Sequence, residues 1–175
     1  RCRLSRSGQP LADHRHRRGL YLSAARSELF NAVLAQRVHE QSWNQALPGE
    51  VLMLAGSHSI FAAAEVDATL YQRVAAFDVH PTGPLWGAGE LRSGGAVREL
   101  EEAVAATLPI FRDGLAAAGL EQERRALRLM VRDARLEFSE PCVAVISFRL
   151  PAGAYATTVL RELVVETMAS DSAAA

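Results

Sequence analysis

Between Leu22 and Glu40 apolar residues return every three or four positions. Leu22, Ala25, Leu29, Ala32, Val33 and Val38, with Gln36 among them, trace one buried face of a predicted helix, and Arg26, Glu28 and Arg37 fall off it. Pro48-Gly49 marks a turn. Glu50–Ala55 is a short apolar run that predicts a strand, with Ser57–Phe61 as a hairpin partner. Val66, Leu70 and Val74 repeat at helical spacing, so Ala62–Phe77 reads as a second helix. His80–Gly89 carries two prolines and three glycines, a density that predicts irregular chain, with Trp86 as an anchor for the loop. Ala96–Ala118 is a strong helical pattern. Its stripe is Val97, Leu100, Val104, Leu108, Phe111 and Leu115, with Arg98, Glu99, Glu101 and Glu102 opposite, a kink or split at Pro109 and a cap at Gly119. Two alternating stretches, 126–138 and 143–150, predict strands joined by a turn at Ser139-Glu140-Pro141. Pro151-Ala-Gly153 ends the second, and Tyr155–Met168 reads as a final helix with Val159, Leu163 and Val164 inward. The fold class is mixed α and β (α+β), with no internal repeat and a small polar tail at 169–175.

At 175 residues the chain can bury a real core, and no apolar run reaches the roughly 18 residues of a membrane span. No apolar segment follows the first arginines, so the start is not a secretory signal, and the cytoplasm is the expected compartment. The first residue is Arg rather than Met, which reads as a fragment, a processed product or a truncated gene model. Cys2 and Cys142 have no CxxC partner, which argues against a disulfide framework or zinc site. The net charge of −1 does not by itself suggest nucleic acid, but its distribution adds something. Residues 1–18 hold six arginines against one acid, Asp13, and residues 1–19 read as a basic arm or loop able to contact phosphate. All 19 basic residues are arginine, a usage that fits a GC-rich genome better than selection at each site.

Familiar chemistry is scarce. Gly87-Ala-Gly89 and Gly94-Gly95 follow no predicted strand and lack the full dinucleotide fingerprint. No Walker loop occurs. His14 and His16 lie in the basic arm, and His39, His58 and His80 are scattered, so no metal-ligand spacing emerges. Ser57-His58-Ser59 reads as a polar hairpin turn, because adjacency in sequence is not catalytic geometry.

Three stretches have more local character: Leu22-Ser-Ala-Ala-Arg-Ser-Glu-Leu-Phe-Asn31; Gly83-Pro-Leu-Trp-Gly87 with Glu90; and Leu150-Pro-Ala-Gly-Ala-Tyr-Ala-Thr-Thr-Val-Leu-Arg-Glu-Leu163. In this order and spacing, with Glu123-Arg-Arg-Ala-Leu127, they resemble the bacterial tRNA pseudouridine synthase D family from about Arg18 to Val165. The resemblance implies a V-shaped enzyme, monomeric at full length, that isomerises uridine 13 of tRNA without a metal or organic cofactor. Residues 1–127 would be most of the family's insertion domain, and 128–168 the last strands and helix of the catalytic domain. The catalytic aspartate belongs to a Gly-x-Lys-Asp type motif expected upstream. Neither it nor the Asn-Phe/Tyr-Phe-Gly motif occurs here, and Asp13, Asp67, Asp78, Asp113, Asp133 and Asp171 all stand in other contexts. The resemblance assigns Tyr155 to the wall of the uracil pocket by stacking, and Arg161 to a phosphate or a catalytic-domain carboxylate. Charge, rather than motif, nominates Arg15, Arg17, Arg18 and Arg26 as RNA contacts. On this reading the fragment alone is catalytically silent. The alternative is a non-catalytic RNA-binding or scaffold module derived from the same family.

Overall fold

The computed structural model describes residues 11–163, with the side chains of residues 11–15 excepted. The chain divides into two compact units, Arg1–Arg128 and Leu129–Ala175.

The first unit opens with helix α1, Leu11–His39. It begins eleven residues before the periodicity of Leu22 predicts, so residues 11–19 are helical rather than an arm. Ala, Leu and Arg are strong helix formers, and no proline interrupts the segment. Its inward row also differs from the one expected. Leu29, Phe30, Val33 and Arg37 are buried, whereas Val38 is half exposed and Gln36 is exposed. The helix closes with Gln41 in the left-handed region (φ 55) and the Ser42 N–H donating to the Arg37 carbonyl at 2.8 Å.

A four-stranded antiparallel sheet of order β2-β1-β3-β4 follows. Its strands are β1 (Glu50–Leu54), β2 (Ile60–Ala63), β3 (Val79–Leu85) and β4 (Glu123–Ala126). The expected second helix is shorter than its periodicity. Helix α2 is Ala68–Ala75, because Asp67 caps it by accepting from the Leu70 N–H at 2.7 Å, and residues 60–63 have already joined the sheet.

β3 corrects the sequence reading most sharply. Val-His-Pro-Thr-Gly-Pro-Leu is a largely buried inner strand, not irregular chain. Prolines are tolerated because the ladder passes from one neighbour to the other along β3. β1 pairs with Val79–Pro81 and β4 with Thr82–Leu85. The Pro81 carbonyl accepts from the Leu127 N–H at 2.9 Å, away from β1, so its missing N–H costs the β1 ladder nothing.

Helices α3 (Gly95–Thr107) and α4 (Pro109–Ala117) complete the unit. The chain splits at Leu108, with Pro109 at the first helical position of α4, as the proline predicts. One apolar cluster gathers Leu29, Trp86, Leu91, Ala105 and Leu115, so Trp86 does anchor its segment. A second gathers Ala46, Leu52, Ala63, Val74 and Val79.

The second unit is a hairpin of β5 (Arg132–Glu140) and β6 (Val143–Arg149), then helix α5 (Ala156–Leu163). The turn is Pro141-Cys142, with Cys142 at φ 70, one step later than expected. Tyr155 precedes α5 rather than lying in it, and Leu163 is exposed rather than inward. Val164, Met168 and the tail lie outside the described residues, as do Cys2 and Asp171.

Candidate functional site

Two of the three stretches singled out in the sequence, Leu22–Asn31 and Gly83–Gly87, meet with Glu123 at one side chain. Arg26, from the middle of α1, donates from Nε to the Trp86 carbonyl at 2.9 Å and from NH2 to the Leu85 carbonyl at 3.2 Å. NH2 also donates to the Glu121 carbonyl, and NH1 pairs with the Glu123 carboxylate at 3.1 Å. The guanidinium thus joins the helix, the Gly83-Pro-Leu-Trp-Gly87 segment and the start of β4. Gly87 is required at this join. A Cβ there would stand 2.4 Å from the Glu121 carbonyl carbon and 2.5 Å from the Leu120 oxygen, both backbone atoms that cannot swing away. Ala88 closes the contact, its N–H donating to Leu120 and its carbonyl accepting from Gln122.

Two buried ion pairs stiffen the same unit, and neither was evident from the hydrophobic pattern. Glu101, placed on the solvent face of its helix by sequence reading, is 1% exposed and forms a two-pronged pair with Arg124 at 2.7 and 2.9 Å. The Ser93 hydroxyl donates to Glu101 at 2.6 Å, and Arg124 also donates to the Thr82 hydroxyl and carbonyl. Arg37, likewise expected outside, is 1% exposed and bonds Glu50 at 2.8 Å together with the Ser42 and Gln45 carbonyls. In both helices the charged residue stands in a buried row spaced by four: Leu29, Val33, Arg37 in α1 and Val97, Glu101, Ala105 in α3. Four-residue spacing from a buried aliphatic is the signal that finds them.

Burial holds the Glu50 carboxyl above its usual range, and the charge and hydrogen bond of Arg37 offset this only in part. A carboxyl raised in the folded chain binds its proton more tightly there than when unfolded. Its stabilising contribution is therefore full at acid pH and is lost as pH rises through the folded value. As pH rises from about 4.5, wild type is expected to lose stability relative to Glu50→Gln. Urea midpoints at each pH measure this, and parallel pH curves for the two proteins would contradict it.

Beside the join lies a cleft of about 450 Å³ lined by His58, Glu90, Arg92, Gln122 and Glu123 among others. The Gln122 Oε1 is buried without a hydrogen-bond partner. The lining carries both signs of charge and selects no ligand class. Among the described residues no group of three or more His, Cys, Asp or Glu is placed to hold a metal ion, and no helix is long and apolar enough to cross a membrane.

Of the residues nominated as RNA contacts, Arg17 and Arg18 are exposed on α1. Arg15 lies in the same helix, with its side chain outside the described residues. Arg26 is turned inward, and its bonds are made within the fold. Tyr155 is 76% exposed, and Arg161 is exposed in the last turn of α5. The described aspartates have local partners. Asp67 caps α2, Asp78 pairs with Arg73, Asp113 with Arg112 and Asp133 with Arg149. The Asp13 side chain and Asp171 lie outside the described residues.

Residues 12–163 match the family model of tRNA pseudouridine synthase D (TruD). A tRNA pseudouridine synthase D of Nitrosococcus oceani is 54% identical over 151 residues, covering 86% of this chain and 42% of that protein. One from Colwellia psychrerythraea is 48% identical over 166 residues, covering 90% and 45%. Among solved structures, a Methanosarcina mazei protein described as a tRNA pseudouridine synthase D superposes with a TM-score of 0.67 at 25% identity, covering 78% of this chain and 36% of that one. The chain therefore spans less than half the length of these relatives. The join built by Arg26, Trp86, Gly87 and Glu123 uses the residues that carried the resemblance, and with the match from residue 12 to residue 163 it places this chain in the tRNA pseudouridine synthase D family.

Proposed function

We propose that this chain supplies the insertion domain and the closing strands and helix of an enzyme that converts uridine 13 of tRNA to pseudouridine. Residues 1–127 form the insertion domain and 128–168 the returning part of the catalytic domain. One observation carries the reading: among described residues 129–163 none is buried, although the hairpin bears Leu136, Phe138, Val143 and Val145. Such a hairpin suits a sheet that other strands complete, and the relatives are more than twice as long as the part they share with this chain.

The reaction detaches uracil from C1′, turns it and rejoins it through carbon, with an aspartate of the family as the catalytic group. The base must first leave the stack. The local partners of Asp67, Asp78, Asp113 and Asp133 favour a catalytic aspartate outside these residues. Tyr155 stacks on the flipped uracil, and its exposure leaves its ring face accessible. Arg161 meets a phosphate or orients a catalytic-domain carboxylate. Arg15, Arg17 and Arg18 line the RNA path along α1, while Arg26 is a positioning residue. The enzyme works in the cytoplasm, where tRNA is modified, without cofactor, as a monomer when whole.

The test is conversion of uridine to pseudouridine in a transcribed tRNA, using this chain alone and fused behind the preceding part of the Nitrosococcus oceani relative. Activity in the fusion alone is expected. Tight tRNA binding by an inactive fusion would favour a non-catalytic RNA-binding module.

A further inference from the structure

The hairpin contains an irregularity that decides which side chains share a face. Arg135 lies opposite Ser147, and Arg132 lies opposite Arg149, with a register shift between the two pairs. Arg132 and Arg135 are three positions apart on β5, whereas their partners are two apart on β6. In a regular strand, residues three apart point to opposite faces. The extra residue returns Arg132 to the face shared by Arg135 and Arg149, which is what a bulge does when it re-aims a side chain. Asp133 sits in it at φ 52, a left-handed conformation uncommon outside glycine.

The result is a one-sided basic patch at the open end of the hairpin. Arg132, Arg135 and Arg149 are all exposed, the Arg149 side chain by 82%. Like charges directly opposite one another on paired strands repel, yet Arg132 faces Arg149. Asp133 answers only Arg149, at 3.2 Å, and Arg132 and Arg135 have no carboxylate partner among the described residues. Ser147 adds a hydroxyl to the same face, Glu137 and Val145 follow on it toward the turn, and Leu136, Phe138, Ala144 and Ile146 occupy the other. A strand pair that sets cations together without enough counter-charge is arranged for an anion from outside.

We propose that this face binds the phosphodiester backbone of tRNA, with Arg132, Arg135 and Arg149 as phosphate contacts and the Asp133 bulge as the device that assembles them. Guanidinium groups suit phosphate because they donate in a planar fork. The inference rests on the tRNA-modification reading and adds a binding surface to it.

Fluorescence anisotropy of a labelled tRNA transcript, titrated with the 175-residue chain over a range of salt, tests the proposal. The Arg132→Gln/Arg135→Gln/Arg149→Gln variant is expected to bind about tenfold more weakly and to lose roughly 2 from the slope of log affinity against log salt. Arg98→Gln/Arg112→Gln, which neutralises exposed arginines elsewhere, serves as the charge control and is expected to change binding little. Deleting Asp133 and Ala134 together separates geometry from charge. It makes the chain more positive, so a patch acting by charge alone would bind tRNA more tightly. The built face predicts weaker binding, because Arg132 then directly precedes Arg135 and points to the opposite side. Unchanged affinity in the triple variant, tighter binding after the deletion, or no tRNA binding by the wild-type chain would each overturn the proposal. Pseudouridine formation by the fusion is a separate readout, so the tRNA-modification reading can stand if this face fails.

Discussion

Replacing Arg124 by Met, or Glu101 by Leu, is expected to destabilise the first unit by about 3–5 kcal/mol, because each change leaves a buried charge without its partner. The Arg124 and Glu101 side chains are 3% and 1% exposed, so solvent cannot take over the missing bonds. Removing Arg124 also strips the Thr82 hydroxyl and carbonyl of a donor, and removing Glu101 leaves the Ser93 hydroxyl without its acceptor. The double replacement, Glu101→Leu with Arg124→Met, is expected to cost less than the two single losses added, since an apolar pair buries no lone charge. Urea unfolding of the four proteins measures this. Arg98, whose pair with Glu102 is exposed, provides the contrast: Arg98→Ala is expected to leave the midpoint essentially unchanged. Single changes at Glu101 and Arg124 as mild as that one would contradict the account.

The second large effect separates the two units. Backbone amides of residues 132–149 are expected to exchange with solvent at least about a thousandfold faster than those of β1 and β3. A two-stranded hairpin is marginal in water, and no described residue of this one is buried, whereas Val51, Leu52 and Val79 have no measurable exposure. Hydrogen exchange followed by mass spectrometry reads both regions in one sample. Equal protection in the two units would mean that the hairpin is stable without further strands, and the argument for a sheet completed elsewhere would fail. The same openness makes the chain more prone to aggregate than its length suggests, since β5 and β6 each present an unpaired edge.

Much of the fold was legible because aliphatic spacing and turn residues acted together. Pro48-Gly49, Pro109 and Gly119 each punctuate the chain where the sequence places a break, and the strands at 50–54 and 143–149 follow their apolar runs. The departures share a cause: local composition does not contain its tertiary partner. Arg37 and Glu101 look solvent-facing because they are charged, yet each lies in a buried row whose facing element supplies the opposite charge, Glu50 or Arg124. His80–Gly89 reads as irregular because two prolines discourage a strand. What admits β3 is that its ladder partner changes from β1 to β4 at Thr82, a fact of topology that no local window contains. Residues 11–19 lack an apolar face, but helix propensity carries α1 back to Leu11.

The candidate site was legible in a different way. Leu22–Asn31, Gly83–Gly87 and Glu123, which carry part of the resemblance, are neighbours joined through Arg26. The basic face of the hairpin was invisible, because three-residue spacing between Arg132 and Arg135 places them on opposite sides until a bulge is known.

The most direct test mixes this chain with the separately purified preceding part of the Nitrosococcus oceani relative and follows two signals in one tube, pseudouridine in a tRNA transcript and exchange of residues 132–149. The account predicts that neither protein alone makes pseudouridine, and that on mixing, activity appears while exchange in the hairpin slows. Pseudouridine formed by this chain alone would contradict it, as would a mixture in which the hairpin stays unprotected and the tRNA unmodified.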